Sequence, residues 1–507
     1  MKKLIALLLV ITMLFSVIAC KAKNPTSSSI DNSEGISSET VQSDEQSEEL
    51  SEEQSSLTQT SGSLISTVVS AGSQTSKNSS KAASVKPDLI KPSTGVSDMT
   101  ASGTTEAVLP KANQTGKTVT MLTWQDPKSE EIVEMVNDFT KYTGGKIEFL
   151  PTNWGEIAET ATKLVMAGNG PDVTLLRNVD NPVMMYKGVL KELDNLISFS
   201  SKLWEGMEFY NAYLKASNKR YMAAVTAGVQ EVLWYNTTIF ENSEFDSPQV
   251  LYDKGELDYD QLLLMAKELT ITKDGATTQY GLGAHAAGEF GNCIIAANLL
   301  DFVKKSGDIY VNNLSDSKIA ESMTFLYDLY NTHKVMNPDA SSLSNFVKGK
   351  LAMYVAPGWI ALTDPIKSMH KKKQITYSLL PKAKGQSNTI NWVDFTMYGI
   401  TKNAKNPEGG AALINMLRFN SIDKTKIEEG RARSRLKGFT DKEMDYNNAG
   451  LKYSKSLDFL GFGDMGILMW GAMFYMASEG TTWNTSRETY IPEADKYIDT
   501  INGYLAK

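Results

Sequence analysis

Between Thr118 and Leu176 the chain alternates two residue periods, and that alternation restricts its fold more than any other feature. Thr118 to Trp124 is a β-rich run ending in the turn Gln125, Asp126, Pro127. Ser129 follows as an N-cap, Glu130 and Glu131 suit the positive end of a helix, and Ile132, Val136, Phe139 and Tyr142 recur at helical spacing. Gly144 and Gly145 stop that helix. Lys146 to Leu150 reads as a second strand, Trp154 to Ala167 as a second helix, and Val173 to Leu176 as a third strand. Strand, helix, strand, helix, strand builds a parallel sheet with right-handed crossovers. Ligands bind such sheets beyond the carboxyl ends of the strands, which puts Trp124, Gln125, Asp126, Arg177 and Asn178 at a ligand-facing edge.

The folded body is expected to begin far from Met1. From Lys21 to about Thr115 there is no Phe, Tyr, Trp or His, and Ser, Thr, Glu, Gln and Lys dominate. Such a segment cannot bury enough apolar surface to offset its chain entropy and is expected to be disordered. A flexible coil of roughly 95 residues has a reach of about 50–60 Å. Before it, Lys2 and Lys3, an apolar run from Leu4 to Phe15, and Val17, Ile18 and Ala19 lead to Cys20. A basic start, an apolar middle and small residues before a cleavage point describe an export signal. Val-Ile-Ala-Cys resembles the lipobox of bacterial lipoproteins, in which the Cys becomes the lipidated first residue. The alternative is an uncleaved anchor, for which the apolar stretch is short against the roughly 20 residues of a span. The expected organisation is a signal peptide over 1–19, a tether over 20–116 and a body over 117–507, working outside the cytoplasmic membrane.

Composition excludes several classes. Formal net charge is −8, and Lys371, Lys372 and Lys373 form the one basic block, read as a solvated turn. No aromatic-interleaved basic stripe offers a nucleic-acid surface. Cys293 is the one cysteine besides Cys20, so the body is expected to contain no disulfide and Cys293 to be a small buried hydrophobe. His285, His333 and His370 are widely separated and suggest neither a metal site nor a catalytic triad. No cofactor and no catalysis are expected.

Further along, Glu231 to Tyr235 reads as a strand with Trp234 and Tyr235 in the core, and Tyr259 to Leu269 as a helix capped by Asp258. A helix is expected over 318–330, strands over 350–355, 375–380 and 396–400, and a helix over 408–419. The 350–355 strand delivers Trp359 to a loop. Arg431, Arg433 and Arg435 are expected in a loop. Met465 to Met476, rich in Gly, Met and aromatics, reads as a core helix or a cleft wall with one aromatic turned to the cleft.

The segments "VTMLTWQDP", "AGNGPDVTLL", "YKGVLKELDNLI", "VLWYNTTIFEN", "DYDQLLLMAKELT", "FVKGKLAMYVAPGW" and "YGITKNAKNPEGGAALINMLRF" resemble, in this order, the family 1 extracellular solute-binding proteins, the sugar-type receptors of ABC importers. Tyr259 stands where Trp is usual. The resemblance implies an α/β fold of two lobes around a ligand cleft. One lobe would take 117–226 and 382–430, the other 227–381 and 431–507. It also implies a monomer, no chemistry, and a permease as partner. Sugars present apolar C–H faces and dense hydroxyls, so a site wants aromatic rings with fixed carboxylates, amides or guanidiniums. By analogy with the family, Trp124, Gln125, Asp126, Arg177, Asn178, Asp180, Trp359, Trp392 and Asp394 are the expected ligand contacts; Trp470 joins them as the cleft-facing aromatic of 465–476, a segment without a clear counterpart in the family. A polyamine, peptide or organic anion in the same fold is an alternative, as is a secreted polysaccharide hydrolase, for which no carboxylate pair stands out.

Overall fold

The computed structural model describes residues 99–100, 107–216, 218–306, 309–455 and 465–505; the leader, Cys20 and most of the tether lie outside them. The alternation that opens the body is built as its periodicity dictates. Strand β1 (Thr118–Thr123) leads into helix α1 (Glu130–Thr143), β2 (Lys146–Pro151), α2 (Ile157–Met166) and β3 (Val173–Leu176). β1 pairs in parallel with both β2 and β3. Gly144 ends α1 at φ 72°, where its N–H bonds the carbonyl of Thr140, a left-handed cap that glycine adopts without a Cβ penalty. Trp154 to Glu156 forms a 3-10 turn, so the second α-helix starts three residues later than expected.

β4 (Met222–Val229) runs through Gln230 directly into β5 (Glu231–Asn236), and there the chain passes from one sheet to another. The second sheet is completed by β6 (Ile271–Lys273), β7 (Ala276–Ala284), β8 (Leu351–Pro357) and β9 (Ile375–Ser378) in the order β6-β7-β8-β5-β9. Helices α3 (Tyr259–Glu268), α4 (Ala287–Ala297), α5 (Ser317–Tyr327) and α6 (Asp339–Val347) accompany it. The Asp258 side chain accepts from Gln261 N–H at the start of α3, as its sequence position suggests. A five-residue π turn, Asp328–Thr332, replaces the last expected turn of α5. β10 (Asn391–Ile400) then returns to the first sheet, pairing antiparallel with β3 and β4. Its first five residues went unrecognised as strand in the sequence; they form the crossing, and Gln230 N–H bonds Trp392 O there at 3.0 Å.

After α7 (Pro407–Ile422), the helices α8 (Lys424–Lys437) and α9 (Asp441–Lys452) cross back, the short β11 (Ser454–Lys455) pairs with β10, and α10 (Met465–Glu479) and α11 (Trp483–Leu505) finish the chain. α8 corrects an expectation, because Arg431, Arg433 and Arg435 lie on a helix and not in a loop. The segment has almost no apolar residues, so periodicity could not show it. Asp423 caps it, Gly438 ends it, and ion pairs stabilise it: Arg431 with Asp441 and Asp445, Arg433 with Glu134, Arg435 with Glu428 and Asp441.

The first sheet and its helices enclose one apolar core, which also takes in Ala107 and Leu109, upstream of the Lys117 start expected from composition. The second sheet is packed on both faces. Trp234 and Tyr235 are buried there, as is Cys293, a free thiol among apolar neighbours. The two cores meet at Val183 and Tyr186, which pack against both. Close packing is tightest at Gly281 on β7, where a Cβ would lie 1.9 Å from the backbone carbonyl oxygen of Ala266 in α3. Gly281→Ala must therefore push α3 off the sheet. An unfolding free energy lower by about 1–3 kcal/mol is expected in urea denaturation.

Candidate functional site

β7 and β8 are parallel neighbours, so their carboxyl ends deliver the next residues to one edge of the second sheet. His285 follows β7, its N–H bonding Val355 O at 2.8 Å, and Trp359 follows β8. The imidazole meets the indole edge-on, with ring centroids 6.4 Å apart and planes at 81°. His285 Nδ1 lies 2.7 Å from Glu289 Oε2, one turn into α4. Burial opposes charge on this imidazole, but the Glu289 carboxylate outweighs it and raises His285 above its ordinary value. Asp339, at the start of α6, accepts from Ala287 N–H at 2.7 Å and Tyr330 O–H at 2.6 Å, which ties α4 to α6. Glu231 begins β5 opposite Pro357 and is buried. Trp470 on α10 stands against the first turn of α4, where a Cβ on Gly288 would lie 2.7 Å from its ring.

These groups make a wall of two aromatic rings, one imidazole and three carboxyls. Sequence reasoning found Trp359 and Trp470 in it but missed Glu231, His285, Glu289 and Asp339. The strand-end rule alone could have found His285, which directly follows β7. The other three come from a strand start and two helix starts, whose convergence no linear pattern carries.

On the first sheet, Trp124 and Gln125 follow β1 and are half-buried, and the Trp124 indole nitrogen is buried with no partner among the described residues. Asp126 is exposed, and its carboxylate accepts from Lys128 N–H at 2.9 Å, closing the turn before α1. Arg177 and Asp180 bind one another, with Arg177 Nε and Nη2 donating to the two carboxylate oxygens at 3.1 and 2.7 Å. Arg177 Nη1 also donates to Trp154 O at 2.7 Å, and the guanidinium sits 4.6 Å from the Trp154 ring centroid. Arg177 and Asp180 therefore build a rigid ledge under Trp154, with Asn178 opening the 3-10 turn between them. Trp154, expected at the start of the second helix, takes its place at this edge through the stacking.

The remaining expected contacts lie at the crossing. Trp392 is buried in the second core, while Asp394 is half-buried and accepts from its neighbour's N–H, Phe395, at 2.7 Å. Burial pushes the Asp394 carboxyl up to about 7. Trp470 is 39% exposed, and its helix buries Met465, Met469, Ala472, Met473 and Met476 on the opposite side. One stretch thus serves as core and as wall. Trp483 packs inward on Phe302.

A cavity of about 340 Å³ lies between α1, α7, α8 and α9, with Gln125 on its wall. Most of its charges are engaged within the fold. Lys426 bridges Glu134 and Asp138, Arg433 bonds Glu134, and Arg418 donates to the carbonyls of Leu203, Val225 and Glu205. Among the described residues, no group of three or more His, Cys, Asp or Glu side chains is placed to hold a metal ion.

Two α/β lobes, joined by strands that cross between them and presenting polar strand ends to a shared cleft, define a two-lobed binding-protein fold. Residues 123–421 match the family described as bacterial extracellular solute-binding protein, and the chain belongs to that family. It is 25% identical over 253 residues to the diacetylchitobiose binding protein DasA of Streptomyces coelicolor. That match spans 49% of this chain and 56% of the relative, about half the length of each. The fold is similar to that of an ABC substrate-binding protein from Listeria monocytogenes solved with cycloalternan, with a TM-score of 0.58 and 15% identity over 78% of this chain and 100% of the other. It is likewise similar to an extracellular solute-binding protein of Staphylococcus aureus solved with maltose, with a TM-score of 0.58 and 16% identity over 76% of this chain and 97% of the other.

Proposed function

We propose that this chain is a lipid-anchored receptor that captures a carbohydrate between its lobes and hands it to an ABC importer in the same membrane. The observation that carries the reading is the wall at the second sheet's edge. Trp470 offers an exposed face for sugar C–H groups, His285 and Glu289 offer fixed partners for polar substituents, and the buried Trp359 and Glu231 would back them from behind. Trp124, Gln125, Asn178 and the Trp154–Arg177 ledge would meet the ligand from the first lobe, and closure would bury it between them. Asp126, Asp180 and Arg177 would serve by shaping this edge, and Trp392 and Asp394 by shaping the crossing behind it. The relatives are described with saccharides: diacetylchitobiose, cycloalternan and maltose. Membership of a solute-binding family favours a receptor without turnover. The lobes would follow the two sheets, 117–226 with 382–430 and 227–381 with 431–507.

Titrating the full-length protein with oligosaccharides should give a saturable change in Trp fluorescence and a raised melting temperature. Ligand at about 100 times Kd contributes roughly 2.7 kcal/mol. A flat response across neutral and amino oligosaccharides would count against the sugar, and release of reducing ends would indicate a hydrolase. The anchor rests on Cys20 and its flanks. Cys20→Ala is expected to abolish incorporation of labelled fatty acid and to release the protein from the membrane fraction; unchanged labelling would refute the anchor.

A further inference from the structure

Three buried polar atoms without a hydrogen-bond partner among the described residues belong to side chains that line one cavity, the space of about 340 Å³ between α1, α7, α8 and α9. They are Thr226 Oγ1 on β4, Asn420 Oδ1 on α7 and Arg433 Nε on α8. The fold fixes each of them. Asn420 Nδ2 donates to Asp138 Oδ2 at 2.7 Å, and because an ionised carboxylate only accepts, the amide is oriented with Oδ1 left unbonded. Arg433 Nη2 lies 3.2 Å from Glu134 Oε2. Thr226 stands opposite Thr396 in the β4–β10 ladder, and the register shifts beside them. Val225 there pairs with no residue of β10, and its carbonyl accepts from Arg418 Nη1 at 3.3 Å. Such bulges re-aim side chains next to sites.

Whatever completes this set must both donate and accept. Arg433 Nε–H needs an acceptor, Asn420 Oδ1 needs a donor, and the Thr226 hydroxyl takes either. An ammonium cannot serve Arg433, and a carboxylate cannot serve Asn420; a hydroxyl serves both. The charges of the wall leave little for a charged guest to pair with. Lys426 is bridged to Glu134 and Asp138, Arg433 to Glu134, and Arg418 is held by backbone carbonyls. Glu131, in no ion pair among the described residues, is the third carboxyl against these three cations, and burial pushes it up to about 7. The wall therefore carries at most one positive charge near neutral pH. Ile132, Met135, Leu417 and Leu451 give the cavity an apolar side, which C–H groups cover and water cannot bond. Ligand pockets run from about 300 to 1,000 Å³, so this one suits a single sugar ring and not a chain of rings.

We propose that this cavity is a second binding site, separate from the cleft, for one small neutral polyhydroxy molecule of hexose size. Of the residues assigned to the cleft, Gln125 alone borders it, so the proposal stands whatever the cleft binds.

Calorimetry on the full-length protein tests this with glucose, glucuronate and glucosamine, which share a ring and differ in charge. Glucose is expected to saturate one site and to bind at least about tenfold more tightly than either charged ring, whose charge finds no partner there. Thr226→Val keeps the β-branched shape and removes only the hydroxyl. It should weaken glucose about fivefold, the share of one hydrogen bond, without lowering the melting temperature of the empty protein. If that variant does not fold, hydrogen exchange on the unaltered protein decides, because glucose should protect the backbone over 224–228 and 417–426. Protection confined to 285–289 and 466–472 puts the hexose in the cleft and overturns the second site. Tighter binding of glucuronate or glucosamine overturns the neutral guest, and no saturation by any of the three leaves a cavity filled by water only, which overturns the proposal outright.

Discussion

Trp359→Ala is expected to abolish the sugar-induced fluorescence change and to lower the unfolding free energy by about 3–5 kcal/mol. Trp359 is 1% exposed and supports His285 edge-on from behind the proposed site. Removing a buried indole leaves a cavity whose walls, Tyr354 and the residues around the 3-10 turn Gly358–Leu362, are held by β8 and cannot collapse freely. Truncating a buried aromatic at the centre of a binding site typically costs more than about 2 kcal/mol, or about 30-fold in affinity. Trp359→Phe separates the two effects. It keeps an aromatic face and most of the volume, so the fold should survive and binding should fall only partway. Undiminished binding by both variants would remove Trp359 from the site.

Glu443→Ala is expected to destabilise the protein by a similar amount, about 3–5 kcal/mol, without touching the ligand. Glu443 lies on α9, where the chain crosses between lobes, and its carboxylate is fully buried. Oε1 lies 2.8 Å from His370 Nε2 and accepts from Thr376 O–H at 2.6 Å; Oε2 accepts from the N–H and O–H of Thr440 at 2.8 and 2.9 Å. Removing it leaves four polar groups without this partner, the buried His370 nitrogen and three half-buried groups of Thr376 and Thr440. Burial would raise this carboxyl, but the His370 hydrogen bond and charge, with Thr376 and Thr440, bring it below the ordinary value. A carboxyl with a lowered folded-state value contributes stability that is present above its unfolded value and lost as pH falls through the folded one. The unaltered protein should therefore lose stability in acid more steeply than Glu443→Gln, as thermal melts from neutral to acid pH would show. Parallel pH profiles would refute this role for Glu443.

The first three strands and two helices were legible because their apolar residues recur at periods two and 3.6, and because Gly and Pro punctuate them. The α7 helix was legible for the same reason, with Asn406 capping Gly409 N–H. α8 was not, since a helix held by ion pairs with α1 and α9 leaves no apolar stripe to read. The first five residues of β10 were missed because Trp392 and Asp394 look like site residues in a loop, whereas pairing with β4 and β11 makes them a strand. The site divides in the same way. Trp359 could be singled out from the strand before it. Arg177 and Asp180 could be placed at the edge, but not seen to bind each other, because that depends on a turn geometry four residues long.

Local order and strand direction, then, are written along the chain, because backbone sterics and side-chain alternation act between neighbours. The chemistry of the wall is not local. Glu231, His285, Glu289 and Asp339 come from four separated segments, and the folded body alone brings them to one edge. Burial then decides what they do, since the same carboxylates that would be ordinary in water become, out of it, groups in need of a partner.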